Sequence, residues 1–164
     1  DPLTHLVRNS CDHGIEMPTE RLAHGKPETG TITLAASHQG GSIVIEVRDD
    51  GRGLSREKLL AKARERGLHA SDSLSDAEVW ALIFAPGFST AEALTDVSGR
   101  GVGMDVVRQN IAALGGMVEI DSVEGQGMSV RVRQLRFGQP ARSFQAMAAC
   151  REKNGEFLGG TERF

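Results

Sequence analysis

The stretch Gly99–Gly116, GRGVGMDVVRQNIAALGG, sets three glycines at alternate positions and then runs into helical spacing. Met104, Val107, Ile111 and Leu114 recur at intervals of three and four, which predicts one buried helix face ending at Gly115-Gly116. Backbone freed of side chains at a helix start lets main-chain N–H groups meet a ligand closely. The positive end of the helix favours an anion there, phosphate above all. A flexible hinge would use the same glycines, so the flanking sequence has to decide.

Downstream, MVEID (Met117–Asp121) and MSVRVR (Met128–Arg133) alternate as two strands around the turn VEGQG. Upstream, Phe84 to Gly103 is rich in Gly, Ser and Thr without a sustained period, as expected of a functional lid. SDAE (Ser75–Glu78) has the pattern of a capping box, opening a short helix through Val79, Trp80 and Leu82. Ser55 is placed to cap a helix to about Arg66, which Gly67 stops. TITLAAS (Thr31–Ser37) and SIVIEVRDD (Ser42–Asp50), joined at QGG, read as a β-hairpin with Ile32, Leu34, Ala36, Ile43, Ile45 and Val47 on one face. A polar, Pro-containing loop precedes the hairpin.

Residues 2–13 read as a helix with two faces, closed by Gly14 as a C-terminal stop. Leu3, Leu6, Val7, Ser10 and Cys11 share one side; His5, Arg8, Asn9, Asp12 and His13 share the other. The sequence of elements predicts an α+β fold, a two-layer sandwich whose mixed, mostly antiparallel sheet carries its helices on one face. The domain is expected to span residues 1–133. Residues 134–164 form an atypical tail, peripheral or disordered, with room for a short helix near Ser143–Arg151 and no assigned function.

Bulk composition excludes several classes. With 164 residues and a net charge of −3, the chain has the length for one core and lacks a basic stripe interleaved with aromatics, against nucleic acid as partner. Apolar runs are too short to insert in a membrane, and Asp1-Pro2-Leu3 opens no signal pattern, so a cytoplasmic protein is expected. Cys11 and Cys150 suggest neither a disulfide framework nor a metal knuckle.

Three clusters carry chemistry. On the first helix, Asn9 offers a neutral amide oxygen to a hard cation such as Mg²⁺ whose other ligands are phosphates and water. His5 and His13, a turn to either side, offer hydrogen bonds to phosphate or move a proton; a solvated face is the alternative. DDGRG (Asp49–Gly53) fixes a carboxylate at a strand end, able to accept from an exocyclic amine while a flat ring lies against exposed backbone, or simply to make a turn. The third cluster is Gly99, Gly101 and Gly103. A dinucleotide fingerprint would need its glycines directly after a strand, and Gly25-Lys26 runs into Pro27, which excludes a P-loop. His5, Cys11, Asp12 and His13 do not converge on one helix side as zinc ligands would.

HLVRNSCDHGIE, DDGRGL, FAPGFST and GRGVGMDVV resemble the four successive boxes of the ATP-binding superfamily that joins histidine kinases, DNA gyrase and the heat-shock and MutL-type mismatch-repair ATPases. LIFAPGFSTAEALTDVSGRGVGMDVV is similar, more narrowly, to the catalytic domain of the CheA-type chemotaxis histidine kinases. The resemblance implies a Bergerat-type α/β sandwich binding ATP and Mg²⁺. It implies Asn9 as the Mg²⁺ ligand, Asp49 as acceptor of the adenine amine, and Gly51 and Gly53 against the ring. Gly99, Gly101 and Gly103, with Val102 and Met104, would hold phosphates and hinge the lid. His5 and His13 would lie near the γ-phosphate, Asp12 within the nucleotide site. Lys58 and Lys62, four apart on one helix face, would reach the phosphates or form a solvated face.

Gyrase-type members carry a glutamate one turn before the asparagine to activate water; here His5 stands there. That favours transfer of the γ-phosphoryl group to a histidine of a separate phosphoacceptor domain in trans, by positioning and charge neutralisation. A stand-alone ATPase and a non-catalytic nucleotide-binding module are the alternatives. The full-length protein would add dimerisation, coupling and response-regulator partners, and the chain alone is expected to be monomeric. Two features depart from the family pattern: Met128 stands where a Thr or Ser follows GQG, and the sequence diverges from Gln134 onward.

Overall fold

The structure, a computed structural model, describes residues 2–86, 88, 103–134 and 160–163. Its helices are α1 (Pro2–Asn9), α2 (Pro18–Ala23), α3 (Arg56–Glu65), α4 (Asp76–Ala81) and α5 (Met104–Ala113). A π-helical turn, Ser10–Gly14, continues α1, and a 3₁₀ turn, Leu82–Phe84, follows α4. The strands are β1 (Thr31–Gln39), β2 (Ser42–Asp49), β3 (Gly116–Val123), β4 (Gly127–Gln134) and the short β5 (Gly160–Arg163).

All pairings are antiparallel, in the order β3-β4-β2-β1-β5, so a four-stranded sheet gains β5 at one edge. The β1–β2 hairpin closes on Gly40 and Gly41, whose positive φ angles of 56° and 80° suit the twist of a two-residue loop. Register aligns Leu34, Val47, Val130 and Ile120 in one row across the sheet, and Ala36, Ile45, Val132 and Val118 in the next. These rows face Leu3 and Leu6 of α1 and Val107 and Ile111 of α5 in one buried cluster. A second cluster joins Leu59, Leu60 and Ala63 of α3 to Val79 and Trp80 of α4, with Phe88, and rests on Ile120. Both lie on the same side of the sheet, so the helices form one layer. The opposite face carries polar residues such as Thr33, Arg48, Ser129 and Asp121, with Val44 buried among its rows.

The fold class is as the sequence predicts, and the capping box is present: the Glu78 carboxylate accepts from the Ser75 N–H at 2.7 Å and the Ser75 hydroxyl from the Glu78 N–H at 3.4 Å. Four local expectations are corrected. The first helix does not run as one α-helix to residue 13, because the Ile15 N–H reaches back to the Ser10 carbonyl (2.8 Å) and widens the last turn. The loop before β1 contains α2, started by Pro18, which needs no N–H at that position. Ser55 precedes α3 without a side-chain cap bond. Leu114 is exposed, since α5 ends at Ala113 before a further turn can bury it. Most of the expected lid, the suggested helix at Ser143–Arg151, and Cys150 lie outside the described residues.

Candidate functional site

Strand alternation builds the centre of the site. Ile45 and Val47 point into the helix layer, so Asp49, two residues on, points the same way at the end of β2. Its carboxylate is thereby buried, with the residue 2 % exposed. Oδ1 accepts from the Gly51 N–H at 3.0 Å, while Oδ2 is buried with no hydrogen-bond partner. A buried orphan acceptor costs about 1–3 kcal/mol, which marks a group kept for something that donates to it. Burial pushes the Asp49 pKa up; the Ser10 hydroxyl and the Gly51 and Met128 amides pull it back without cancelling that push.

Glycines wall this carboxylate because side chains do not fit. A Cβ on Gly14 would sit 3.1 Å from Oδ2, and one on Gly51 would sit 2.1 Å from the Gly14 carbonyl oxygen and 2.9 Å from Oδ1. One on Gly127 would sit 2.0 Å from the Asp49 carbonyl oxygen. Gly14 is thus no left-handed helix stop; it is small because Asp49 is beside it. The π turn brings its carbonyl to the Arg52 N–H at 2.8 Å, docking the helix end onto the DDGRG loop. Gly53, at φ +65°, faces the Val123 carbonyl, and the Gly125 N–H to Arg52 carbonyl bond (2.7 Å) ties that loop to the β3–β4 turn.

Asn9 is half-buried and its Nδ2 donates to Met104 Sδ at 3.1 Å, linking α1 to the first residue of α5. Its Oδ1 accepts no hydrogen bond among the described residues. His5, also half-buried, has its pKa lowered from the ordinary imidazole value, chiefly by burial and also by the charge of Arg8. Asp12 and His13 are exposed on the π turn. Asn9, Asp49, Gly51, Gly103 and Met104 therefore gather where α1, the end of β2 and the start of α5 meet. Lys58 (exposed) and Lys62 (half-buried) lie on α3, and no hydrogen bond or ion pair among the described residues joins either to Asn9 or Asp49. Gly99, Gly101 and Val102 lie outside the described residues.

Met128 pairs opposite Asp49 and packs with the inner cluster. Ser129 points to the other face, where its hydroxyl donates to Glu46. Ser129 therefore cannot stand in for a hydroxyl at position 128. An open concavity of about 450 Å³ is lined by Thr31, Thr33, Glu46 and Arg48 of the outer face together with Asp49, Asp50 and Gln126 at the strand end.

Sequence reasoning missed a buried ion cluster behind the DDGRG loop. Arg21 is fully buried and pairs with Glu16 (3.1 Å) and Asp50 (3.0 Å); Lys26 also pairs with Glu16 (2.7 Å). Burial alone would raise the Glu16 pKa, but the Lys26 hydrogen bond, the residue's own backbone N–H and the charges of Lys26 and Arg21 bring it below the usual value. Mixed charge in an aperiodic, Pro-containing segment carries the signature of solvated loop, so no pattern distinguished these residues. Among the described residues no three His, Cys, Asp or Glu side chains cluster as metal ligands, and no helix is long and apolar enough to cross a membrane.

A family model described as "Histidine kinase-, DNA gyrase B-, and HSP90-like ATPase" matches residues 1–139. The chain is 68% identical over 132 residues to the chemotaxis protein CheA of Klebsiella aerogenes, covering 80% of this chain and 20% of that protein. It is 51% identical over 136 residues to the sensor histidine kinase CheAY of Helicobacter pylori, covering 81% of this chain and 17% of that one. It thus spans a fifth or less of the length of these relatives. Among solved structures, the histidine kinase domain of the Erythrobacter litoralis EL346 blue-light activated histidine kinase matches at a TM-score of 0.43 and 16% identity, covering 81% of this chain and 41% of that one.

Proposed function

We propose, on the premise that this chain belongs to the histidine kinase-, DNA gyrase B- and HSP90-like ATPase family, that it binds Mg-ATP and passes the γ-phosphoryl group to a histidine on a separate phosphoacceptor domain in chemotaxis signalling. The observation that carries the reading is the buried Asp49 carboxylate, with one oxygen held by Gly51 and the other without a partner. An adenine amine supplies the missing donor. A Cβ at Gly14 would crowd that oxygen at 3.1 Å, and one at Gly51 would crowd its partner Oδ1 at 2.9 Å.

Residues 1–133 carry the catalytic domain in this reading, and of the residues after them Gly160–Arg163 add an edge strand to its sheet. Asn9 fits a Mg²⁺ ligand, because its amide nitrogen is engaged by Met104 and its oxygen is left over. When bound, Mg²⁺ neutralises phosphate charge and orients the transferred group. His5, whose lowered pKa favours the neutral imidazole, is able to accept a hydrogen bond or a proton, and His13 and Asp12 add exposed polar groups on the next turn. The N–H groups at the start of α5 and the glycines at 99, 101 and 103, with Val102, cradle the phosphates. Lys58 and Lys62 add positive charge from α3. Position 5 holds no carboxylate to activate water, which favours transfer over hydrolysis. Dependence on ATP puts this chemistry in the cytoplasm, where the nucleotide is supplied.

The test incubates the chain and Mg²⁺ with γ-labelled ATP, with and without a separately purified chemotaxis phosphoacceptor domain. Acid-labile label on the acceptor's histidine is the expected result. Steady ADP release that ignores the acceptor would assign the chain to the hydrolytic branch instead.

A further inference from the structure

Arg21 is the largest fully buried side chain described, and a charged one. A buried guanidinium is costly unless its N–H groups are all met, and replacing such clusters by apolar residues often stabilises a protein. Here every nitrogen is engaged. Nε donates to the Pro27 carbonyl (2.8 Å), Nη1 to Glu16 Oε2 (3.1 Å) and the Asp50 carbonyl (3.2 Å), and Nη2 to Asp50 Oδ2 (3.0 Å) and the Thr29 carbonyl (3.5 Å). Lys26 Nζ approaches the same place, donating to Glu16 Oε1 (2.7 Å) and to the carbonyls of Asp50 (3.0 Å) and Gly51 (2.7 Å).

The Asp50 carbonyl, gripped by both cations, belongs to the same peptide unit as the Gly51 N–H. That unit is planar and trans, so its C=O and N–H point in opposite directions. Holding the oxygen towards Arg21 and Lys26 therefore aims the hydrogen at Asp49 Oδ1, 3.0 Å away from the nitrogen. We infer that Arg21 and Lys26, with Glu16 between them, are positioning residues for nucleotide recognition: they orient the Asp50–Gly51 peptide, which locks the Asp49 carboxylate with Oδ2 turned to the base. They act through Gly51 and touch no ligand. The inference rests on the reading of Asp49 as acceptor of the adenine amine.

The test compares ATP with inosine triphosphate, which carries a carbonyl where ATP carries the amine, by calorimetric titration of the parent chain, Arg21→Lys and Lys26→Met. The parent prefers ATP. Both variants shrink that preference on the order of tenfold, through weaker ATP binding with the inosine nucleotide little changed. A merely structural role lowers the folded fraction for both nucleotides alike, so an unchanged preference in the variants overturns the inference while the Asp49 reading stands. Should Arg21→Lys fail to fold, Lys26→Met carries the comparison, because Lys26 lies at the half-buried rim of the cluster. A parent that does not distinguish the two nucleotides overturns the Asp49 reading itself, and this inference with it.

Discussion

At the scale of single residues the site depends on where a carboxylate is placed and what is kept away from it. The Asp49 pKa is raised in the folded chain, so the folded state holds its proton more tightly than the unfolded one. The sign follows directly: stability falls as pH rises from the ordinary value near 3.8 through the raised folded value, and the full penalty remains above it. Asp49→Asn removes that loss, so the difference in melting temperature between variant and parent, without nucleotide, grows in the variant's favour as pH rises across this window. Glu16 behaves in the opposite sense. Its contribution is fully present above the ordinary value near 4.5 and is lost as pH falls through the lowered folded value. Gly51→Ala, with its Cβ 2.1 Å from the Gly14 carbonyl oxygen, is expected to cost about 1–3 kcal/mol in a denaturant melt. Gly14→Ala meets the carboxylate at 3.1 Å, and its expected effect is a smaller loss of stability than Gly51→Ala with a clear loss of nucleotide affinity.

Elements were legible in the sequence where a period or a cap announced them. The hairpin faces follow from strict alternation, and α4 from Ser75 and Glu78. Ser75→Ala is expected to cost about 1 kcal/mol and to speed amide exchange in α4, with nucleotide affinity unchanged, because that helix packs in the second cluster away from Asp49. The π turn was not legible. A widened turn conserves the composition of an α-helix end, and only the docking of Gly14 against residues 51 and 52 shows why it forms. Helix α2 was hidden for a related reason: its six residues bury Arg21 where an apolar side chain would have been noticed. Asp49, Asn9 and the glycines were legible as candidates because their spacing matched a known set of boxes; Gly14 and Gly127 became visible as walls only once the strands were in register.

For the molecule as a whole, one layer of helices on one antiparallel sheet leaves the ends of β2, α1 and α5 facing a common region. The inner cluster fixes that meeting point. Ile111→Ala is expected to lower stability by about 2–5 kcal/mol, measured by denaturant titration, since Ile111 is 2 % exposed between α5 and the sheet. The whole-molecule architecture was the most legible level, because the order of strand pairs and helices admits few two-layer arrangements. The central claim is that this region binds ATP through Asp49. The measurement that tests it most directly is calorimetric titration of the chain and of Asp49→Asn with a non-hydrolysable ATP analogue and Mg²⁺. The expected result is saturable binding by the parent and an affinity weaker by about tenfold or more in the variant, although the variant is at least as stable. Equal affinity in the two proteins, or no binding by a well-folded parent, would contradict the claim.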